Sequence, residues 1–97
     1  MNEKEVIKIL KALSDETRLK IVESLLDGEK CVCEIFPQVK RTQSTVSIQL
    51  SILENAGIVE SRREGKKIYY KIKDYRICNI FKMLGYKKIL KKSCCSK

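Results

Sequence analysis

The sequence predicts one mostly α-helical domain of the α+β class, and three observations support that class. Apolar residues recur at helical spacing along most of the 97-residue chain. Two short segments rich in Ile, Val and Tyr lie on either side of Glu64-Gly65-Lys66 and predict a β-hairpin. A chain of this length is enough for a single domain. We therefore expect a domain over residues 1–90 and a basic, cysteine-containing tail over residues 91–97.

The first third of the chain predicts two amphipathic helices. The first covers residues 2–13. Its apolar face consists of Val6, Ile9, Leu10 and Leu13. Ser14 or Asp15 can cap the second helix, which ends at Gly28. Its buried face is expected to contain Leu19, Val22, Leu25 and Leu26.

The next segment predicts a pair of helices joined by a short turn. A third helix covers residues 31 to about 39, and Pro37 within it removes one amide donor and favours a kink or an early end. Thr42 can cap a fourth helix, which ends at Asn55-Ala56-Gly57. The core stripe of this fourth helix is Val46, Leu50 and Leu53.

The rest of the domain predicts a hairpin and a last helix. The two strands cover residues 58–63 and 67–73, and Asp74 can cap a helix that runs to about residue 90. The apolar stripe of that helix is Ile77, Ile80, Phe81 and Leu84. Helix-turn-helix followed by a two-stranded β-hairpin is the winged helix-turn-helix arrangement, in which the third helix positions the fourth in the major groove.

The distribution of charge indicates a polyanionic partner. The net charge is +9. Residues 1–39 hold six Lys/Arg and eight Asp/Glu, a net −2, whereas residues 40–97 hold fifteen and four, a net +11. The basic excess thus coincides with the predicted reading helix, wing and tail, as expected for binding to double-stranded DNA. No segment approaches the roughly 18 apolar residues of a membrane span, and we expect a cytoplasmic protein without a membrane partner.

The cysteines predict thiolate chemistry and not a disulfide framework. The chain has five cysteines and no histidine. Cys31 and Cys33 form a close pair just before the predicted reading helix, and Cys94 and Cys95 form an adjacent pair in the tail. A metal site must therefore use thiolate or oxygen ligands, and histidine-based acid–base catalysis is excluded. Cys78, beside the last apolar stripe, is expected in the core or at an interface.

The chain resembles the ArsR/SmtB family of winged-helix metalloregulators over nearly its whole length. Six motifs in this order carry the resemblance: Asp15-Glu16-Thr17-Arg18-Leu19, Cys31-Val32-Cys33-Glu34, Gln43-Ser44-Thr45-Val46-Ser47, Leu50 with Leu53, Asn55-Ala56-Gly57, and Arg63-Glu64-Gly65-Lys66-Lys67-Ile68-Tyr69-Tyr70. The resemblance implies a homodimeric repressor that releases its operator when an inducer binds. It also implies an interface between the first and last helices, made by Val6, Ile9, Leu10, Ile77, Ile80, Phe81 and Leu84.

The resemblance further implies that Cys31 and Cys33 bind a soft metal or metalloid ion, As(III)/Sb(III) or Cd(II)/Pb(II), with no organic cofactor. Phe36 stands where arsenic-responsive members often have a third cysteine, so Cys94 and Cys95 are the candidates for further ligands. Cysteines two residues apart on an ideal helix point roughly 200° apart. We therefore expect ion binding to unwind the first turn of the third helix and to shift the reading helix that follows.

Two groups of residues are expected at the DNA. The fourth helix presents Gln43, Ser44, Ser47, Ile48 and Gln49 to the groove. Gln43 can bond an adenine edge, and Ile48 can pack on a thymine methyl group. Basic residues beside this helix and on the wing are suited to phosphate contacts: Lys40, Arg41, Arg62, Arg63, Lys66 and Lys67.

Two alternatives remain open from the sequence. One is a repressor of the same fold that responds to thiol oxidation or persulfide. The other is a winged-helix DNA binder without a ligand. An enzyme is not expected, because a thiol oxidoreductase would need a Cys-x-x-Cys motif between a strand and a helix, with an acid–base partner.

Overall fold

The structure is a computed structural model that describes residues 2–84. Five helices surround a small sheet in the order α1 (Glu3–Leu13), α2 (Glu16–Ser24), β1 (Lys30–Cys31), α3 (Val32–Val39), α4 (Gln43–Asn55), β2 (Val59–Glu64), β3 (Lys67–Ile72) and α5 (Tyr75–Met83). This is the winged helix-turn-helix order that the sequence predicts. The predicted continuation of the last helix to residue 90 and the tail, with Cys94 and Cys95, lie outside the described residues.

Polar side chains at the helix starts fix the boundaries. The Asp15 carboxylate accepts a hydrogen bond from the Arg18 amide (3.1 Å), and the Thr42 hydroxyl accepts one from the Thr45 amide (3.2 Å). The Asp74 carboxylate accepts one from the Arg76 amide at 3.0 Å. These bonds satisfy amide donors that have no carbonyl partner in the first turn. The three predicted caps are therefore confirmed.

Pro37 does not end α3, since the helix continues to Val39. The helix ends at Lys40, whose backbone has φ 59° and ψ 47°. This left-handed conformation is usual for a glycine after a helix and uncommon for a lysine. The amides of Lys40 and Arg41 donate to the carbonyls of Pro37 and Phe36, both at 3.2 Å, and close the turn that leads to α4.

The predicted two-stranded hairpin is present as β2 and β3, and a third strand extends it into a three-stranded antiparallel sheet. The strand order is β1-β3-β2. The added strand contains only Lys30 and Cys31, which pair with Tyr70 and Tyr69 of β3. Two residues are too few to show a period in the sequence, so only the long-range pairing reveals this strand.

One core joins α2, α3, α4, the sheet and α5. Its largest fully buried side chains are Phe81, Ile21, Leu25, Leu26, Ile35, Leu50, Leu53, Ile58, Ile77, Val22, Val46 and Val59. Ile77 and Phe81 are therefore core residues of the protomer itself, and their predicted role as interface residues is corrected. They lie on the inner face of α5, so they have no surface to offer to a second chain. Within residues 2–84 no helix has the length and apolarity needed to cross a bilayer.

Candidate thiolate site and nucleic-acid interface

The cysteine pair lies at the junction between the sheet and α3. Cys31 ends β1 and is also the N-cap of α3, with extended backbone angles of φ −74° and ψ 149°. Its sulfur accepts a hydrogen bond from the Cys33 amide at 3.2 Å. The Glu34 carboxylate accepts one from the Cys31 amide at 2.9 Å. Together these two bonds form a capping box in which a sulfur atom takes the usual place of a hydroxyl oxygen.

The two sulfur atoms converge without any unwinding of the helix. The structure pairs Cys31 and Cys33 as a disulfide, with their Cα atoms 5.1 Å apart. The expectation that both sulfurs can meet only if the first helical turn unwinds is therefore wrong. Its premise fails because Cys31 is extended and outside the helix, so the spacing of an ideal helix does not apply to it. Cys31 is buried and Cys33 is exposed.

The described residues supply two soft ligands and not a complete metal site. Within residues 2–84, no cluster of three or more Cys, Asp or Glu side chains could hold an ion. The nearby Glu34 carboxylate is already bonded to the Cys31 amide, and the Lys30 ammonium group is paired with Asp27. Two converging thiolates fit a soft ion, but a third ligand has to come from elsewhere.

The reading helix α4 presents four of its five predicted groove residues to solvent. Gln43, Ser44, Ser47 and Ile48 are exposed, and Ile48 keeps 61% of its surface. Gln49 is different, because it is half-buried and its amide oxygen accepts a hydrogen bond from Arg18 Nη1 at 2.7 Å. Gln49 thus ties α4 to α2 in the structure, and the geometry gives no support to its predicted DNA contact.

The two basic residues before α4 also differ from each other. Lys40 is exposed, as its predicted phosphate contact requires. Arg41 is half-buried, and its Nε donates to the Thr17 hydroxyl at 3.2 Å while its Nη1 donates to the Lys40 carbonyl at 3.2 Å. The Arg41 guanidinium therefore holds the turn between α3 and α4 against α2.

The four wing residues that were predicted to contact DNA also differ from one another in their surroundings. Arg63, Lys66 and Lys67 are exposed, and within residues 2–84 they make no side-chain hydrogen bond or ion pair. Arg62 instead donates from Nε and Nη2 to the two carboxylate oxygens of Glu29, both at 2.9 Å. The Arg62 guanidinium holds the pKa of Glu29 below its ordinary value.

Exposed apolar side chains remain on α1 and at the end of α5. Val6 and Leu10, both predicted interface residues, keep 39% and 53% of their surface, and Leu84 is exposed as well. Ile9 and Ile80 are half-buried and pack against the core. Ile7 and Met83, which the sequence reasoning missed, are also exposed. A signal for Ile7 was present, because it lies beside Val6 and one turn before Leu10.

Comparison with known proteins identifies the class of this chain. The family described as "Bacterial regulatory protein, arsR family" matches residues 15–61, which include α2, α3, α4 and the cysteine pair. The homodimeric winged helix-turn-helix DNA-binding domain of Mb0332 from Mycobacterium bovis, a possible ArsR-family regulator, superimposes with a TM-score of 0.77 and 33% identity. The match covers 84% of this chain and 75% of that one.

Two further relatives are regulators by name. The uncharacterized HTH-type transcriptional regulator MJ1325 of Methanocaldococcus jannaschii is 44% identical over 79% of this chain and 88% of its own length. The cadmium resistance transcriptional regulatory protein CadC homolog of Staphylococcus aureus is 43% identical over 78% of this chain. This chain spans only 64% of the CadC homolog's length. The chain belongs to the arsR family of transcriptional regulators. The predicted ArsR/SmtB resemblance is therefore confirmed, and so is the prediction of a regulator and not an enzyme.

Proposed function

We propose that this chain is a homodimeric transcriptional repressor that binds operator DNA and releases it when Cys31 and Cys33 bind a soft ion. The candidate inducers are As(III)/Sb(III) and Cd(II)/Pb(II). The observation that carries the proposal is the position of the two converging sulfurs. They lie at the start of the helix that precedes the reading helix, and Cys31, which caps that helix, also ends a strand of the sheet.

DNA recognition rests on surfaces that the fold leaves free. The exposed polar residues of α4 can reach base edges, and Ile48 supplies an apolar contact for a thymine methyl group. Lys40 and the exposed cations of the wing supply phosphate contacts that fix the register on the duplex. Because Gln49 and Arg41 have partners inside the protomer, we assign them to holding α4 in place and not to the DNA.

The chemistry of the pair favours a thiophilic inducer. Thiolates prefer soft ions to magnesium or calcium, and the start of a helix favours the thiolate form. The name of the CadC homolog associates that relative with cadmium resistance, which supports Cd(II) as the first ion to test. Cys94 and Cys95 are proposed as the further ligands.

Coupling to DNA follows from what Cys31 does without an inducer. Its sulfur accepts a hydrogen bond from the Cys33 amide and caps α3, so an ion that draws this sulfur away from the amide would leave the amide without its acceptor. Helix α3 leads to α4 through only three residues, 40–42. A changed start of α3 therefore alters the angle of α4, and the altered shape fits the operator less well.

A titration of the reduced protein tests this proposal. We expect Cd(II) or As(III) to bind with thiolate charge-transfer absorbance and to weaken operator binding in parallel. Cys31→Ser with Cys33→Ser should abolish both signals. If the double serine variant still loses the operator on Cd(II) addition, the pair is not the inducer site.

The tail and the dimer have separate tests. Truncation after Lys92 should lower inducer affinity and leave operator affinity unchanged; equal inducer affinity would exclude the tail ligands.

Leu10→Glu should convert the dimer to a monomer in sedimentation, because it places a charge among the exposed apolar side chains of α1. Lys11→Glu, at the neighbouring exposed position, is the control and should leave the dimer intact.

A second candidate function is a thiol redox repressor, and the pairing of Cys31 and Cys33 as a disulfide favours it. In that reaction two thiols lose two protons and two electrons to an added oxidant, and one S–S bond forms. Oxidant-dependent operator release that a reductant reverses, with no response to Cd(II), would select this candidate. A chain that responds to neither would be a DNA binder without a ligand.

A further inference from the structure

The cysteine strand and the wing share one row of side chains across the sheet. Cys31 pairs with Tyr69 of β3, and Tyr69 pairs on its other side with Arg62 of β2. Directly paired residues of antiparallel strands project on the same face. Consistent with this, the Arg62 guanidinium carbon lies 4.6 Å from the centre of the Tyr69 ring.

Arg62 also bonds a residue of the segment just before the cysteines. Its Nε and Nη2 bond both carboxylate oxygens of Glu29, two residues before Cys31, and its Nη1 bonds Glu64 at 3.0 Å. A bidentate guanidinium–carboxylate pair fixes orientation as well as distance. The link spans 33 residues of sequence, so it joins two segments that only the fold brings together.

This geometry is unlike that of a residue available to phosphate. Three nitrogens of Arg62 are engaged by Glu29 and Glu64, and one face of its guanidinium lies over Tyr69. An exposed ion pair of this kind usually contributes little to stability. The location of this ion pair is what matters here. It connects the segment just before β1 to β2, the strand that leads to the exposed wing cations.

We propose that Glu29 and Arg62 are positioning residues that hold the wing in a fixed orientation to the cysteine strand and so carry a change at the cysteine pair to the DNA-contacting wing. This inference rests on the proposed function. It adds a route through the sheet to the route through α3 and α4. A shift of β1 moves Glu29 and Tyr69 together, and Arg62 contacts both of them.

The test uses the full-length reduced protein, an operator duplex and Cd(II) as the probe. The variants are Glu29→Gln, Arg62→Gln and their double combination. Glu60→Gln is the matched control, because it breaks a carboxylate–cation pair of the same hairpin, Glu60 with Lys71 at 3.5 Å, without touching the cysteine strand. The measured quantity is the ratio of operator Kd with and without saturating Cd(II), at several salt concentrations.

We expect each single variant to lower this ratio at least threefold, the double variant to lower it no further, and Glu60→Gln to leave it unchanged. Without Cd(II), Arg62→Gln should keep the wild-type salt slope, whereas loss of one phosphate contact would reduce the slope by about 0.9. An unchanged ratio in Arg62→Gln, or a slope reduced by that amount, would overturn the assignment.

Hydrogen exchange separates this inference from the proposed function. In the metal-free protein, Glu29→Gln and Arg62→Gln should speed exchange of the wing amides, and Glu60→Gln should not. A wild-type chain whose operator affinity responds to neither Cd(II) nor As(III) would overturn the proposed function alone. Hydrogen exchange would then decide the positioning role. Equal protection of the wing amides in the wild type and in the three single variants would reject it.

Discussion

The base and the tip of the wing carry the same kind of charge and use it differently. At the base, Arg62 is bonded to Glu29 and Glu64 and lies over Tyr69. Near the tip, Arg63 and Lys66 are exposed and make no side-chain bond within residues 2–84. Of the neighbouring cations on one hairpin, Arg62 is therefore held by contacts within the protein, whereas Arg63 and Lys66 remain available to an external partner.

The difference arises from strand register. Arg62 is paired with Tyr69 and Arg63 with Ile68, so the two arginines project on opposite faces of the sheet. The side chain of Cys31 projects on the same face as that of Arg62, and the Glu29 carboxylate bonds Arg62 there. A count of basic residues cannot distinguish the two, whereas a shift of register by one residue would exchange their roles.

The largest effect is expected at the tip. Lys66→Ala with Lys67→Ala should weaken operator binding by about tenfold or more and reduce the salt slope by about 0.9 per lost phosphate contact. Lys71→Ala is the control on the same strand, because Lys71 is paired with Glu60, and it should keep the wild-type slope. Equal slopes in both variants would contradict the assignment of the tip to DNA. Operator titrations at several salt concentrations measure this.

The next effect is on the stability of the base. Tyr69→Ala should lower the free energy of unfolding by about 1–2 kcal/mol, because it removes a half-buried ring between two neighbouring strands. Tyr69→Phe retains the ring and should remain close to wild type. Urea unfolding measures both, and equal losses in the two variants would assign the effect to the hydroxyl group and not to the ring.

A smaller effect is expected at the carboxylate beside the turn that bonds Arg62. Glu64 places a carboxylate beside Arg62 at the end of β2. Glu64→Gln should strengthen operator binding roughly twofold, because it removes a negative charge near the phosphates. Fluorescence anisotropy with an operator duplex can resolve this change. Weaker binding would instead mean that Glu64 holds Arg62 in a DNA-contacting position, and the distinction between base and tip would fail.

The smallest effect is expected at the Arg76–Asp74 pair, which lies away from the cysteine strand. This pair serves as a reference for the Arg62–Glu29 pair at the base of the wing. Arg76 bonds Asp74, the N-cap of α5, and holds the pKa of that carboxyl below its ordinary value of 3.8. A lowered folded-state pKa adds stability above the unfolded value, and this stability is lost as the pH falls through the folded pKa.

Asp74→Asn keeps a good cap and removes only the charge. We expect it to cost less than about 1 kcal/mol at pH 7 and still less at pH 2. Unfolding at the two pH values measures the difference. A cost that is the same at both values would show that the ion pair contributes no stability, and the pair could not serve as a reference for the base.

Local signals predicted much of the fold and part of the site. Asp15, Thr42 and Asp74 were identifiable as caps because a cap acts within three residues of itself. The inner stripe of α4 followed from its spacing alone. In contrast, Ile77 and Phe81 were predicted as interface residues although they are core residues. Spacing shows that a face is apolar but not what covers it.

The sequence by itself determined the helices, the hairpin, the one-sided basic charge and the presence of a thiol pair beside the reading helix. Each of these is encoded in residues that are close together in the chain. Only the tertiary structure decided that Cys31 lies in a strand, that its sulfur meets that of Cys33 without unwinding α3, and that Arg62 is bonded to Glu29. Those features depend on the pairing of β1 with β3, whose partners are about forty residues apart, and long-range register is absent from local sequence pattern.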